Sequence, residues 1–360
     1  MTVLAVVASA CGSGADEQQE PAPAFGSLLT PEYGWAHSIG GGGDKDVGYA
    51  IAVDSEGSVY TTGQFKGVDV YFGDDPVSGQ PVNLTSQVGS VVDAPNVFLA
   101  KHDADGTFQW AHNFGGVYSG RPLTFGNRGL SVAVDSDNSV YITGAFEGTD
   151  NADNRSPVVS STQNPACHLS DLGRGSVFFA KYDKDGKCEW AHRIGGNREA
   201  VGRGIAINTE GGVDYVYLIG SFGKVCAPAC VDFDPSPASA SNLSAVRRND
   251  VFFAKYKATD GAYQWAHRIG GTGHDFGFGI AVLDPVPGDL LDPGQLGSVY
   301  ITGGFASANV DFDPSDDGDP GTSSDQALLS QTGRNDVFFA RYNTNGEYQW
   351  AHSIGGNYFD

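Results

Sequence analysis

The triplet Trp-Ala-His recurs at Trp35, Trp110, Trp190, Trp265 and Trp350, which places His37, His112, His192, His267 and His352 at matching positions. Repeated imidazoles invite a metal site, because neutral histidine is a common ligand for transition metals. The other chemistry open to the triplet is structural. A tryptophan would pack between neighbouring elements while the histidine two residues on, on the same strand face, takes part in hydrogen bonding. If each triplet lies on the outermost strand of its own unit, the five rings stand far apart on a rim, and the structural role fits better.

A second pattern pairs carboxylates. Val231-Asp-Phe-Asp-Pro235 sets Asp232 with Asp234, and Val310-Asp-Phe-Asp-Pro314 sets Asp311 with Asp313. In an extended chain both carboxylates project to one side and the ring to the other. Two hard oxygen donors on one side suit Ca²⁺, although that ion takes about six to eight oxygens. In the competing arrangement the phenylalanine plugs the core and the aspartates cap the turn before proline. The first repeat carries the looser Val68-Asp-Val-Tyr-Phe-Gly-Asp-Asp-Pro76 and the second Gly148-Thr-Asp-Asn-Ala-Asp153, so a cation site would not be uniform. Asp-x-Asp-Gly at Asp103 and Asp183 resembles the start of a calcium loop. It lacks the later glutamate and runs at once into a strand pattern, as a hairpin turn does.

Cys11 aside, the cysteines fall as two local pairs, Cys167 with Cys188 and Cys226 with Cys230. Cys226-Ala-Pro-Ala-Cys230 has no second pair or nearby histidine to complete a tetrahedral zinc shell, so two disulfides are expected in an exported chain. For catalysis the sequence holds no Gly-x-Ser-x-Gly elbow, no Walker-type phosphate loop and no His-Glu-x-x-His helix. Abundant aspartates could supply two carboxylates for glycoside cleavage, but no spacing selects a pair.

These side chains must be positioned by a repeat. The triplets are separated by 75, 80, 75 and 85 residues, and each is followed after two residues by Gly-Gly. Each unit holds four strand-like segments. The first, Gly48 to Val53 and its copies, alternates small with bulky residues, as a strand does when one face admits a close neighbour. The second, Val59-Tyr-Thr-Thr-Gly63, is rich in β-branched and aromatic residues. The third, Val97-Phe-Leu-Ala-Lys101, leads through Asp105-Gly106 into the fourth, which bears the triplet; such dipeptides between apolar runs signal a hairpin. Between the second and third segments lie roughly 25 to 30 residues, where an ordinary hairpin loop takes 2 to 5. No stretch sustains helical apolar spacing.

The expected fold is therefore all-β, a β-propeller of four four-stranded blades of about 75 to 85 residues plus the start of a fifth repeat. Counted from tryptophan to tryptophan, the units run about 35–109, 110–189, 190–264 and 265–349, with a partial unit at 350–360, all within a repeat domain of residues 33–360. The runs Ile51-Ala-Val-Asp54, Gly57-Ser-Val-Tyr-Thr-Thr-Gly63, Val251-Phe-Phe-Ala-Lys255 and Trp265-Ala-His-Arg-Ile-Gly-Gly271 resemble the SBBP-type β-propeller repeat of bacterial exported proteins. The resemblance covers nearly everything outside the first 32 residues. It implies a four-stranded blade per unit and a cell-surface setting, and no defined enzyme activity.

Residues 1–11 read as the end of a lipoprotein-like signal, with an apolar run and Ser9-Ala10 immediately before Cys11, the expected lipidation site. Residues 12–32 then form a flexible Gly, Ser, Glu, Gln and Pro tether. Such a chain is exported to the outer membrane or cell surface and touches the membrane through the anchor alone. A net charge of −22, from 43 acids against 21 Lys and Arg, repels phosphate backbones, so nucleic acid is not an expected partner. The function expected is a non-catalytic scaffold whose long loops bind a protein or glycan. An extracellular polysaccharide hydrolase or lyase and a structural segment of a larger adhesin are the alternatives.

Overall fold

The computed structural model describes residues 34–41, 46–86, 95–115, 126–147, 167, 169, 175–196, 199–223, 231–284, 297–313 and 327–356. The chain divides into two units, Met1–Trp35 and Ala36–Asp360. The expected signal, Cys11 and the tether lie outside the described residues, as do Cys226 and Cys230. Every described strand belongs to the second unit.

The described residues of that unit form antiparallel strands and no α-helix. In the first repeat these are β1 (Val47–Val53), β2 (Val59–Phe65), β3 (Val70–Asp74), β4 (Pro81–Leu84), β5 (Asn96–His102) and β6 (Phe108–Phe114), assembled as a sheet β1-β2-β5-β6 with β3 and β4 as a separate ribbon. The second repeat supplies β7 (Arg128–Val134), β8 (Val140–Phe146), β9 (Ser176–Tyr182) and β10 (Cys188–Gly196). The third supplies β11 (Ala200–Glu210), β12 (Val213–Gly223), β13 (Val231–Asp232), β14 (Asn242–Leu243), β15 (Asn249–Lys257) and β16 (Tyr263–Ile269). The fourth supplies β17 (Asp275–Leu283), β18 (Ser298–Phe305), β19 (Val310–Asp311), β20 (Leu328–Leu329), β21 (Asp336–Asn343) and β22 (Tyr348–Ile354). Ribbon β13–β14 joins the outer edge of the second sheet through Gly195↔Asp232 and Gly196↔Val231.

In each repeat the fourth long strand is the one that bears Trp-Ala-His, so the physical repeat is offset from one counted between tryptophans. The hairpins are built as the sequence indicates. Asp103 Oδ1 accepts the amides of Asp105 and Thr107, Asp183 Oδ1 those of Asp185 and Lys187, and the side-chain carbonyl of Asn343 those of Asn345 and Glu347. The carboxylate caps its own turn and leaves the Asp-x-Asp-Gly runs no calcium-loop geometry.

The sheets stack face to face in chain order, β1 against β7, β7 against β11 and β11 against β17. Each junction has its own apolar core. Tyr60 and Leu99 of the first sheet meet Ile142 and Phe178 of the second; Tyr141 and Phe179 meet Leu218 and Phe252 of the third; Tyr217 and Phe253 meet Ile301 and Phe338 of the fourth. Three of the buried tyrosine hydroxyls are satisfied by a carboxylate of their own repeat: Tyr60 donates to Asp54, Tyr141 to Asp135 and Tyr217 to Glu210. The strand-three cations lie over the same rings, Lys101 5.0 Å from Tyr60, Lys181 5.5 Å from Tyr141 and Lys255 5.4 Å from Tyr217.

One detail of the inner strand departs from simple alternation. A register shift between Gly129 and Ser131, repeated at Gly48/Ala50, Gly202/Gly204 and Gly277/Gly279, rotates the strand midway. A Cβ on Gly202 would press on Thr143 and Val177 of the preceding sheet, whereas one on Gly204 would press on Ile219 of its own sheet and on Phe278 O and Ile280 of the following one. The small residues therefore serve both faces, two neighbours apart in sequence but on opposite sides of a bulge.

Candidate functional site

The Trp-x-His pairs connect adjacent sheets. The Trp110 indole donates to Lys184 O at 3.2 Å, Trp190 to Ala258 O at 3.1 Å and Trp265 to Thr344 O at 3.3 Å. In each case the acceptor belongs to the turn between the third and fourth strands of the next sheet. His112 Nε2 lies 2.6 Å from Gly186 O and His192 Nε2 2.7 Å from Asp260 O. A carbonyl oxygen only accepts, so Nε2 carries the proton in both rings, and burial lowers both pKa values below the ordinary histidine range. The histidines are neutral donors in a latch, on separate sheets, and no group of three or more His, Cys, Asp or Glu able to hold a metal occurs among the described residues.

The latch also explains the turn glycines beyond their positive φ of 82° at Gly186 and 71° at Gly261. A Cβ on Gly186 would lie 2.8 Å from both the Trp110 and His112 rings, and one on Gly261 2.1 Å from the His192 ring. The Asp-Gly dipeptide marks the hairpin in the sequence; that the same glycine seats the neighbouring sheet's rings is visible only with the sheets assembled.

The paired aspartates have divided roles. Asp232 Oδ1 accepts Asp234 N at 3.0 Å and Ser241 N at 2.9 Å, clamping the base of ribbon β13–β14. Asp234 has left the strand: its Oδ1 accepts Ser236 N at 2.8 Å and its Oδ2 the Ser239 hydroxyl at 2.6 Å. Asp311 Oδ1 likewise accepts Asp313 N at 2.9 Å. The phenylalanine between them is the plug, Phe233 lying 5.0 Å from the Phe252 ring and Phe312 5.2 Å from Phe338. Tyr256 and Tyr342 donate to the carbonyls of Phe233 and Phe312, which ties the ribbons to their sheets. In the first repeat the matching residues are Val70, Tyr71 and Phe72, since Gly40 pairs with Tyr71 as Gly195 pairs with Asp232. Tyrosine there replaces the first aspartate, an equivalence that spacing from Val68 conceals.

Where the third-sheet ribbon meets the latch, the surface opens into a cavity of about 420 Å³ walled by His192, Asp234, Ser236, Ser239, Asp260 and Tyr263. Asp260 Oδ1 accepts Ala262 N at 3.0 Å, and the Tyr263 hydroxyl lies 2.6 Å from the Ser241 hydroxyl. Each carboxylate offers about four lone-pair sites, so these bonds leave acceptor capacity facing the opening. The arrangement can take hydrogen-bond donors or a cation on the carboxylates and a flat apolar group on the tyrosine. Motif reading picked out Asp234 and His192 separately; Asp260 and Tyr263 join them only through the fold. In the second repeat Cys167 forms a disulfide with Cys188 at the start of β10.

Residues 34–64 match the SBBP family, a β-propeller repeat, so the chain carries at least one repeat of that type. The chain is 26% identical over 263 residues to an uncharacterized WD repeat-containing protein, L264, of Acanthamoeba polyphaga mimivirus, covering 70% of this chain and 17% of that protein. It is 28% identical over 192 residues to the regulatory protein FlaEY of Caulobacter vibrioides, covering 53% of this chain and 17% of that protein. The chain thus spans about a sixth of the length of either relative. A protein of unknown function from Dyadobacter fermentans aligns over 85% of this chain and 74% of its own at a TM-score of 0.34 and 11% identity.

Proposed function

We propose that the four sheets are consecutive blades of a β-propeller array and that the chain is a non-catalytic binding scaffold, its ligand held at the rim by the connections between second and third strands. The cavity beside the third sheet carries this reading, because it gathers two carboxylates, two serines and a tyrosine onto a base fixed by the latch. Its acids and the net charge of −22 favour a protein segment bearing Lys or Arg. A displayed random peptide library selected on the protein tests this. Enriched clones should be basic and should lose binding to Asp234→Asn, a change that keeps an acceptor for Ser236 N, with an unaltered melting curve; clones indifferent to that substitution would refute it.

The Tyr263 ring beside serines and carboxylates supports a glycan as the second reading, since sugars combine a flat apolar face with hydroxyls. A glycan array would then show binding that Tyr263→Ala removes. Turnover on polysaccharides, abolished by one aspartate substitution, would establish the hydrolase or lyase alternative instead. We also propose export and anchoring through Cys11, with residues 12–32 as the spacer. Mass spectrometry of the mature protein showing an unmodified Cys11 would exclude the anchor.

A further inference from the structure

The three junctions between sheets are alike, which makes the two outer faces of the stack conspicuous. On the face directed at the following sheet, Phe114, Ile194 and Ile269 are 2%, 0% and 1% exposed, but their counterpart Ile354 is 62% exposed. Tyr60, Tyr141 and Tyr217 are fully buried while Tyr300 is half-buried, and Thr302 is exposed where Thr62 and Thr143 are not. His352 is exposed, and Trp350 makes ring contacts within its own sheet, to Tyr300, Phe339 and His352. On the opposite side of the stack, Val132 and Ile205 are 7% and 6% exposed against the preceding sheet, but their counterpart Ile51 is 66% exposed. The fourth sheet presents one half of the repeated junction and the first sheet presents the other.

The sequence holds a further correspondence. Trp35-Ala-His-Ser-Ile-Gly-Gly41 and Trp350-Ala-His-Ser-Ile-Gly-Gly356 are identical, whereas the three inner copies read Asn-Phe or Arg-Ile at the fourth and fifth positions. Residues 36–41 already sit where a preceding sheet's outer strand would lie. His37 stacks on His102 at 5.2 Å, much as His112 stacks on Tyr182 at 5.7 Å; Gly40 and Tyr71 exchange backbone hydrogen bonds; and Ile39 packs on the cluster of Phe65, Phe72 and Phe98. Residues 36–41 of one copy are docked on the first sheet, whereas in the other copy His352 and Ile354 are exposed on the fourth.

We propose that the outer face of the fourth sheet docks onto the first sheet of a second copy of this chain, with Trp350–Gly356 taking the place of that copy's residues 35–41. The junction would repeat the internal ones. Tyr300, Thr302 and Ile354 cover the partner's Ile51 and Val53, and the Trp350 and His352 rings meet the turn Asp103–Gly106, which corresponds to Asp183–Gly186. Because the two surfaces differ, the contact is heterologous, and it propagates from chain to chain or closes into a ring.

Sedimentation velocity over a concentration series tests the contact. The wild-type chain should associate as concentration rises. Ile51→Asp and Ile354→Asp change residues that are exposed in the single chain, so at dilutions where the wild type is monomeric both should keep its melting curve while weakening association roughly 100-fold or more by placing a charge in an apolar junction. Each variant retains one intact face, so an equimolar mixture should form a one-to-one dimer that grows no further. A wild-type chain that stays monomeric throughout, association that neither substitution affects, or a mixture that does not pair would each overturn the proposal.

Discussion

The junction between the second and third sheets and that between the third and fourth begin from the same seven residues, Trp-Ala-His-Arg-Ile-Gly-Gly, at 190–196 and 265–271. Both tryptophans donate to a turn carbonyl of the following sheet. The histidines part company: His192 Nε2 reaches Asp260 O, while His267 Nε2 is buried without a hydrogen-bond partner. The receiving turns differ, Ala258-Thr-Asp-Gly261 in one and Thr344-Asn-Gly346 in the other. A donor strand of fixed sequence thus makes one reliable bond through its larger ring and a second only where the neighbour's turn offers a carbonyl at the right height. Burial without that acceptor pushes the His267 pKa down to about 4.

The largest effect should come from removing the shared element. Trp190→Ala empties a buried junction and is expected to cost about 3–5 kcal/mol, whereas Trp350→Ala, whose ring contacts among the described residues lie within its own sheet, should cost roughly 1 kcal/mol or less in the dilute chain. Equal losses in denaturant titrations would show that the tryptophan stabilises its own sheet and not the junction.

Next come two titrations of opposite sign at the third sheet. His267 titrates near 4 when folded against 6.5 for the free side chain, so the unfolded chain binds its proton first and stability falls as pH drops from about 6.5 to 4. Asp250, buried beside Arg268 and pushed up by that burial to about 7 from 3.8, favours the fold in its protonated form at low pH, so stability falls as pH rises from about 4 to 7. The two oppose one another in the wild type. His267→Leu should leave stability falling with pH across that window, and Asp250→Asn should leave it rising, each by on the order of 2–3 kcal/mol in melting experiments. Parallel slopes in the two variants would remove this assignment.

At neutral pH the contrast narrows to one hydrogen bond. His192→Leu should cost about 1 kcal/mol by stripping Asp260 O of its donor, while His267→Leu should be neutral or slightly stabilising because it removes an unsatisfied buried nitrogen. The smallest expected change is from a chelator. Asp232 and Asp234 already serve backbone amides of their own ribbon, so EDTA should leave the melting midpoint unmoved. A fall would mean that those carboxylates hold a cation together.

Much of this was legible beforehand. Alternation, Asp-Gly hairpins and the recurrent triplet each depend on residues within a few positions of one another, so four antiparallel strands per repeat follow from local chemistry. The paired aspartates left two readings open, because whether Asp234 continues the strand or caps a turn depends on ribbon length and not on residue type. In the first repeat Tyr71 holds the place of Asp232, which only its pairing with Gly40 discloses.

The sequence by itself determined the strands, their turns and the spacing at which junction-forming residues return, since hydrogen-bonding pattern and side-chain alternation act over short separations. Tertiary structure alone decided which histidine finds an acceptor, which carboxylates share the rim cavity and which copy of the heptapeptide is docked. Those outcomes depend on distances of a few ångströms between groups about 70 to 80 residues apart, set by how twisted sheets stack.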